Sequence, residues 1–377
     1  MTANREWMTR PADQRFETLD ELAAKVGARQ RLSIQTDVNI GKIHVESRDI
    51  EVAVGDKMVP DTQLVINSEI QPATPTHWSF GQLCRETKLS SDTMRRLPTN
   101  IVADALNYRL PRIENTDQKI MSLRDPEGEL NTMQALTSRT YGRIWDAEVV
   151  AATQKLVERA AESGKTFFNP KDWSGKPSGL YASDHDVFVF MVDGGSVVDV
   201  GWTQNGKQDL MHRGFIVWNS EVGGASFGIM MFMFRVVCGN HIIWDATNVN
   251  KMLIRHTSGG PARFEREALP TLKAYCEAEA GPQEAAIKRA QNYLLPDKPD
   301  ELIDFIRSKG QFSKAEVIDG VEFARKEEGD ARTLWQVVNG LTASARQYAH
   351  LDTRLDLEKR AGKLLNLVVD SNKVITA

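Results

Sequence analysis

The residues of this 377-residue chain best suited to polar chemistry, seven histidines and three cysteines, are scattered rather than clustered. Two local groupings have the right residue types. Asp184-His185-Asp186 offers an imidazole between two carboxylates, which are ligand types for a divalent metal. No distant ligand is recognisable in the sequence, so a solvated turn is expected and no metal is assigned. Cys238, His241 and Asp245 could act as nucleophile, base and orienting acid. Cys238, however, closes an apolar stretch, where a buried and inert thiol is the ordinary outcome. No phosphate-loop, dinucleotide, zinc-protease or nucleophile-elbow pattern occurs. The expectation is a non-enzymatic protein without a cofactor.

A third grouping fits ligand contact better. Residues 250–266, NKMLIRHTSGGPARFER, set Lys251, Arg255, His256, Arg263 and Arg266 against one acid, Glu265. The turn Ser258-Gly259-Gly260-Pro261 opens a helix, where free backbone N–H groups and the helix dipole favour an anion. Phosphate would fit, and a capped helix start with a solvated basic rim is the competing reading. Trp202, Trp218 and Trp244 fall in or beside neighbouring strands, and single-strand binders combine a basic groove with aromatic platforms. Lys207, Arg213, Trp218 and Arg235 therefore join Lys251, Arg255, His256 and Arg263 as the expected nucleic-acid contacts.

The densest apolar stretch, Gly214 to Trp244, must position these side chains. Phe215 to Ser220 reads as a strand ending at a Glu221-Val222-Gly223-Gly224 reversal. In Ser226 to Cys238 both alternating faces are apolar, as in a strand covered on both sides by helices or by another subunit. Arg235 is the exception, either paired with a buried acid or aimed at a phosphate.

The surrounding pattern gives an α+β fold with a central, mostly antiparallel sheet flanked by helices and a helical C-terminal region. The expected divisions are 1–72, a helix over 15–28 and a small β-rich meander; 73–117, helical; 118–260, the central sheet core; and 261–377, helices broken near Gly281-Pro282, Pro296 to Pro299, Gly310, Gly329 and His350. Within 73–117, FGQLCRETKLSSDTMRRL has the outline of a helix-turn-helix with a Ser90 or Ser91 cap and Arg95 and Arg96 on the second helix, which would read duplex DNA. Two packed helices joined by a tight turn are the plainer reading.

Composition limits the options. A net charge of −4 with 26% charged residues means that a nucleic-acid site must concentrate its cations locally. The longest apolar run is broken by Arg235, and the N-terminus lacks an apolar signal core, so a cytoplasmic protein with no membrane contact is expected. Cys84, Cys238 and Cys276 lie too far apart in sequence to suggest a disulfide framework or a zinc ribbon.

The segments MQALTSRTYGRIWDAEVV, HRGFIVWNSEVGGASFGIMMFMFRVVCGNHIIW and LWQVVNGLTASARQYAHLDTRLDLEKRAGKLL, in this order, resemble the phage/plasmid-like protein family, domain of unknown function 932. The resemblance covers roughly residues 75 to 370. It implies carriage on a mobile element and no defined mechanism. The strand run followed by a long helix is also similar, at the level of fold alone, to phage single-strand annealing proteins, which form oligomeric rings. The combined expectation is a homo-oligomeric single-stranded DNA-binding protein acting in recombination or replication. The alternatives are a helix-turn-helix duplex regulator and a non-enzymatic mobile-element protein countering host defence.

Overall fold

A computed structural model describes residues 7–54, 56–68, 72–114, 117–126, 130–172, 174–203, 206–236, 240–242, 252–277 and 281–369. Their strands form two sheets. The first runs in the order Ser33–Asn39, Asp117–Leu123, Asn131–Ser138, Ala73–Pro75, Lys57–Asn67 and His44–Val54. All its pairings are antiparallel except that of Ala73–Pro75 with Asn131–Ser138. The helices His77–Glu86 and Thr99–Arg109 bury Phe80, Leu83 and Leu106 against Leu64 and Met133 of this sheet.

The hairpin of Asp117–Leu123 and Asn131–Ser138 was expected in the 118–260 core and instead completes the first sheet. Thr36 lies opposite Ile120, and Ile120, Met133 and Leu136 join the core beneath the two helices. Sequence adjacency does not decide which edge a hairpin joins; the burial of its apolar face does. The β-rich meander expected before residue 72 contains one long strand, His44–Val54.

The second sheet is antiparallel throughout its described residues: Gln14–Arg15, Leu180–Ala182, Val187–Trp202, Gln208–Asn219, Phe227–Arg235 and Asn240–Ile242, with Met252–Ile254 also on Phe227–Arg235 and Phe167–Phe168 on Val187–Trp202. Val187–Trp202 is one continuous strand, with register shifts between Val192 and Val197 and between Asp199 and Gly201. Such bulges bend a strand and increase its twist.

Phe227–Arg235 is covered on both faces by this same chain. Phe227, Ile229 and Met231 pack with Leu22 and Val26 of the helix Leu19–Leu32, Val149 of Asp146–Glu162 and Phe264 of Gly260–Glu277. Phe232 and Phe234, on the other face, meet Leu351 and Leu355 of the helix Leu351–Leu364. Burying each such side chain contributes roughly 1.5–3 kcal/mol. The strand therefore needs no neighbouring subunit to cover it. The opening helix, expected over 15–28, starts at Leu19 because Thr18 caps it and Glu21 closes a capping box.

The C-terminal helices break where the sequence indicates. Pro299 begins Pro299–Gly310, Gly329 at φ 75° ends Lys314–Glu328, and His350 precedes Leu351–Leu364. Lys314–Glu328 and Leu334–Ser344 cross at two glycines: a Cβ on Gly340 would stand 2.1 Å from the Gly320 carbonyl oxygen. Among the described residues, no helix is long and apolar enough to cross a membrane.

Arg235 joins this helical region to the sheet. Its Nε lies 2.9 Å from both carboxylate oxygens of Asp209, it also bonds Glu328, and it is 3% exposed. Removing one partner from a buried ion pair leaves an uncompensated charge, at a cost of about 3–5 kcal/mol. Arg235→Ala is expected to lower unfolding free energy by about that amount in a urea titration, and Arg235→Ala with Asp209→Asn by less than the single change.

Candidate functional site

The basic segment after the second sheet is built as follows. Met252–Ile254 pairs with Phe227, Gly228 and Ile229, after which Arg255 and His256 lead through a turn into Gly260–Glu277. Gly260 is required by space, since a Cβ there would lie 2.6 Å from the Arg255 carbonyl oxygen. Its N–H donates to the Thr257 oxygen at 2.8 Å, and Pro261 has no N–H, so the helix start offers an anion fewer donors than its sequence promises. Arg255 is exposed. The Arg263 Nε and the Arg266 Nη2 each lie 2.7 Å from the Glu267 carboxylate, which compensates part of their charge.

His256 is not a cation here. Its ring stacks on Tyr141 with centroids 5.0 Å apart, and its Nδ1 lies 3.2 Å from the Gly142 oxygen. Burial, aided by nearby Arg143, holds the imidazole down at about 4 although the Gly142 contact raises it. A neutral imidazole neutralises no phosphate. Lys251 lies outside the described residues.

The strand residues also leave the expected site. Arg235 is paired inside the fold, and Arg213 is 4% exposed. Trp218 is 6% exposed, with the Lys359 Nζ 4.3 Å from its ring centre. It sits against Gly228, where a Cβ would come within 2.1 Å of the indole, so Trp218 is a core residue rather than a base platform. Lys207 is exposed but distant from Arg255. It lies at the Trp202–Gln208 end of the second sheet, whereas Arg255 follows the pairing of Phe227 with Ile254 at the other end. Among the described residues, those expected do not line one continuous groove.

What gathers at the Lys207 end is different. Trp202 is 73% exposed beside the hairpin tip. The helix Gly281–Asn292 packs there, with the Gln291 Nε2 donating to the Val200 oxygen at 2.6 Å. Lys288, Arg289, Asn292, Tyr293 and Val368 line a cleft of about 350 Å³ on that helix. Trp202 was legible as an aromatic residue in a strand, but not its exposure at the strand end.

The described segment Phe80–Leu97 does not form a long second helix. Ser91–Met94 is a single turn capped by Ser90, and the Arg95 guanidinium turns inward to the Trp7 and His77 carbonyl oxygens. Of the loose nucleophilic grouping, Cys238 and Asp245 lie outside the described residues, as does Trp244; His241 belongs to the strand Asn240–Ile242.

Asp184-His185-Asp186, expected as a solvated turn, is enclosed at the seam of the two sheets. His185 is 7% exposed and stacks on Trp78 with centroids 4.5 Å apart and planes 10° from parallel. Its Nδ1 lies 2.7 Å from Asp184, and its Nε2 3.3 Å from Asp186 and 3.8 Å from Asp352. Burial pushes this imidazole down, but Asp184, Asp352 and Asp186 together raise it to about 9. Asp352, the distant partner, opens the last long helix and could not be matched to His185 across 166 intervening positions.

A family model described as a domain of unknown function (DUF932) matches residues 135–363. No curated protein and no solved structure matches the chain.

The low folded value of His256 has a definite pH consequence. The unfolded imidazole titrates near 6.5 and the folded one near 4, so this contribution to stability is complete above pH 6.5 and is lost as pH falls from there towards 4. His256→Gln should flatten that limb, with wild type losing on the order of 2 kcal/mol more than the variant between pH 7.5 and 5 in matched urea titrations.

Proposed function

The chain belongs to the DUF932 family, and on that premise we propose that it binds single-stranded DNA at the hairpin end of the second sheet. The observation that carries this reading is Trp202, 73% exposed on a strand end beside Lys207. An indole in water at a strand end is a stacking platform available to any base. Arg289 of the adjoining helix and Lys288, the latter shared with Glu284 at 2.7 Å, add positive charge, and Tyr293 stands beside their cleft. The contact differs from the groove that the sequence suggests, because Arg213, Arg235 and Trp218 are committed inside the fold.

Mobile-element carriage, a cytoplasmic location, self-assembly and a part in recombination or replication belong to the same proposal. They rest on the sequence resemblance to the phage/plasmid-like family and on the fold-level analogy with annealing proteins. No interface between copies is assigned.

Titration of a labelled oligothymidine by anisotropy tests the reading. Binding is expected to weaken with salt, with a slope of log K on log salt near −2, as about three cations at roughly 0.7 each would give. Trp202→Ala should weaken binding about tenfold or more, since stacking contributes about 1–3 kcal/mol per base. Arg255→Ala with Arg263→Ala should leave it within about twofold. Absence of binding at low salt, or an unchanged affinity of Trp202→Ala, would remove the proposal.

A further inference from the structure

The seam around His185 brings together three distant parts of the chain: residues 10–13, residues 183–186, and Asp352 in the first turn of Leu351–Leu364. Four carboxylates meet there. Arg10 bonds Asp352 at 2.9 Å and approaches Asp13 at 3.5 Å. Arg29, the other nearby guanidinium, is committed to Asp146 and Glu221. Four acids face the Arg10 guanidinium and the His185 imidazole, so acidic groups outnumber basic ones in a largely water-excluded place. A bound cation, taking the place of the proton on the His185 Nε2, would offset that excess.

The geometry points to a binding site for one divalent first-row transition cation, held by the His185 Nε2 and by carboxylate oxygens of Asp186 and Asp352. One ligand atom from each residue can be chosen so that all three lie within 4.8 Å of one another. Nitrogen and oxygen bonds of about 2.1 Å to a tetrahedral ion place neighbouring ligand atoms about 3.4 Å apart. The Nε2 separations of 3.3 Å from Asp186 and 3.8 Å from Asp352 are close to that edge. They are long for hydrogen bonds to a ring nitrogen. One imidazole with two carboxylates suits Zn²⁺ or Mn²⁺ better than Ca²⁺, which takes oxygen ligands throughout.

A second observation points the same way. The Asp184 side chain is 7% exposed, and its Oδ2 is buried without a hydrogen-bond partner, while its Oδ1 holds the His185 Nδ1. A carboxylate on the far nitrogen fixes the ring so that Nε2 faces the ion, as in carboxylate–histidine–metal arrangements. Arg10 orients Asp352, and the Ser183 hydroxyl orients Asp186. The Asp352 side chain is 35% exposed, so an ion would reach the Nε2 side of the ring past this carboxylate.

The test uses the full chain, stripped with chelator and dialysed, then titrated with ZnCl₂ or MnCl₂ in a calorimeter and melted with and without the ion. The expected result is one ion per chain and a melting temperature raised by several degrees. His185→Gln and Asp352→Asn should each weaken binding at least tenfold, and Asp184→Asn about 10–100-fold through loss of ring orientation. Asp304→Asn, on the exposed face of Pro299–Gly310, should bind as wild type does. Asp352 is partly exposed, so its variant keeps the test open should His185→Gln fail to fold. Wild-type protein that takes up neither ion at one equivalent overturns the site, as does unchanged affinity in Asp352→Asn.

Discussion

The buried Arg29 guanidinium is the interaction on which the rest of this architecture depends. It bonds Asp146, the first residue of one core helix, and lies 2.7 Å from Glu221 in the turn between Gln208–Asn219 and Phe227–Arg235. Asn219 donates to Asp146 at 2.7 Å, and the Asp146 N–H donates to Glu221 at 2.9 Å. Burial, with Glu221 alongside, pushes the Asp146 carboxyl well above the usual range, while Arg29 opposes that shift. Charges removed from water in this way are tolerated only with good mutual geometry. The opening helix, the helix Asp146–Glu162 and the strand turn are therefore held in one arrangement.

The same turn fastens the two sheets together. Trp78 and Gln82, from the helix over the first sheet, donate to the Val222 oxygen at 3.1 and 2.8 Å. Arg143 reaches the Glu221 oxygen and Gln35 of the first sheet. A turn that sequence marks only as a reversal is thus the junction of the molecule. His185 lies beside it, its carbonyl accepting from the Ser220 hydroxyl, so the acidic seam is held by the same framework.

Local pattern made most elements legible. Alternation identified the strands, and the Ser90 cap, the proline near 299 and Gly329 marked helix boundaries, because each acts through its own backbone. Three kinds of information were not local. The continuity of Val187–Trp202 is interrupted by bulges that resemble a break in the sequence. The hairpin 117–138 could have joined either sheet, since its apolar face fits any covered surface. The fate of each arginine depends on an acid far along the chain: Asp209 and Glu328 for Arg235, Asp146 and Glu221 for Arg29. That is why the basic residues were recognisable as cations and not as internal partners.

This internal use of cations limits how the protein can engage a polyanion. Arg29, Arg143, Arg213 and Arg235 are buried or nearly so, Arg10 and Arg95 bond within the fold, and Arg263 and Arg266 share Glu267. These arginines, which a sequence count would offer to phosphates, are taken up within the fold of a chain whose formal charge is −4. Counterion release scales with the phosphates neutralised, so a single-strand contact at the Lys207 end would draw on few cations. The remainder must come from stacking, which is insensitive to salt and to base identity. An exposed indole at a strand end matters more in such a protein than another arginine would.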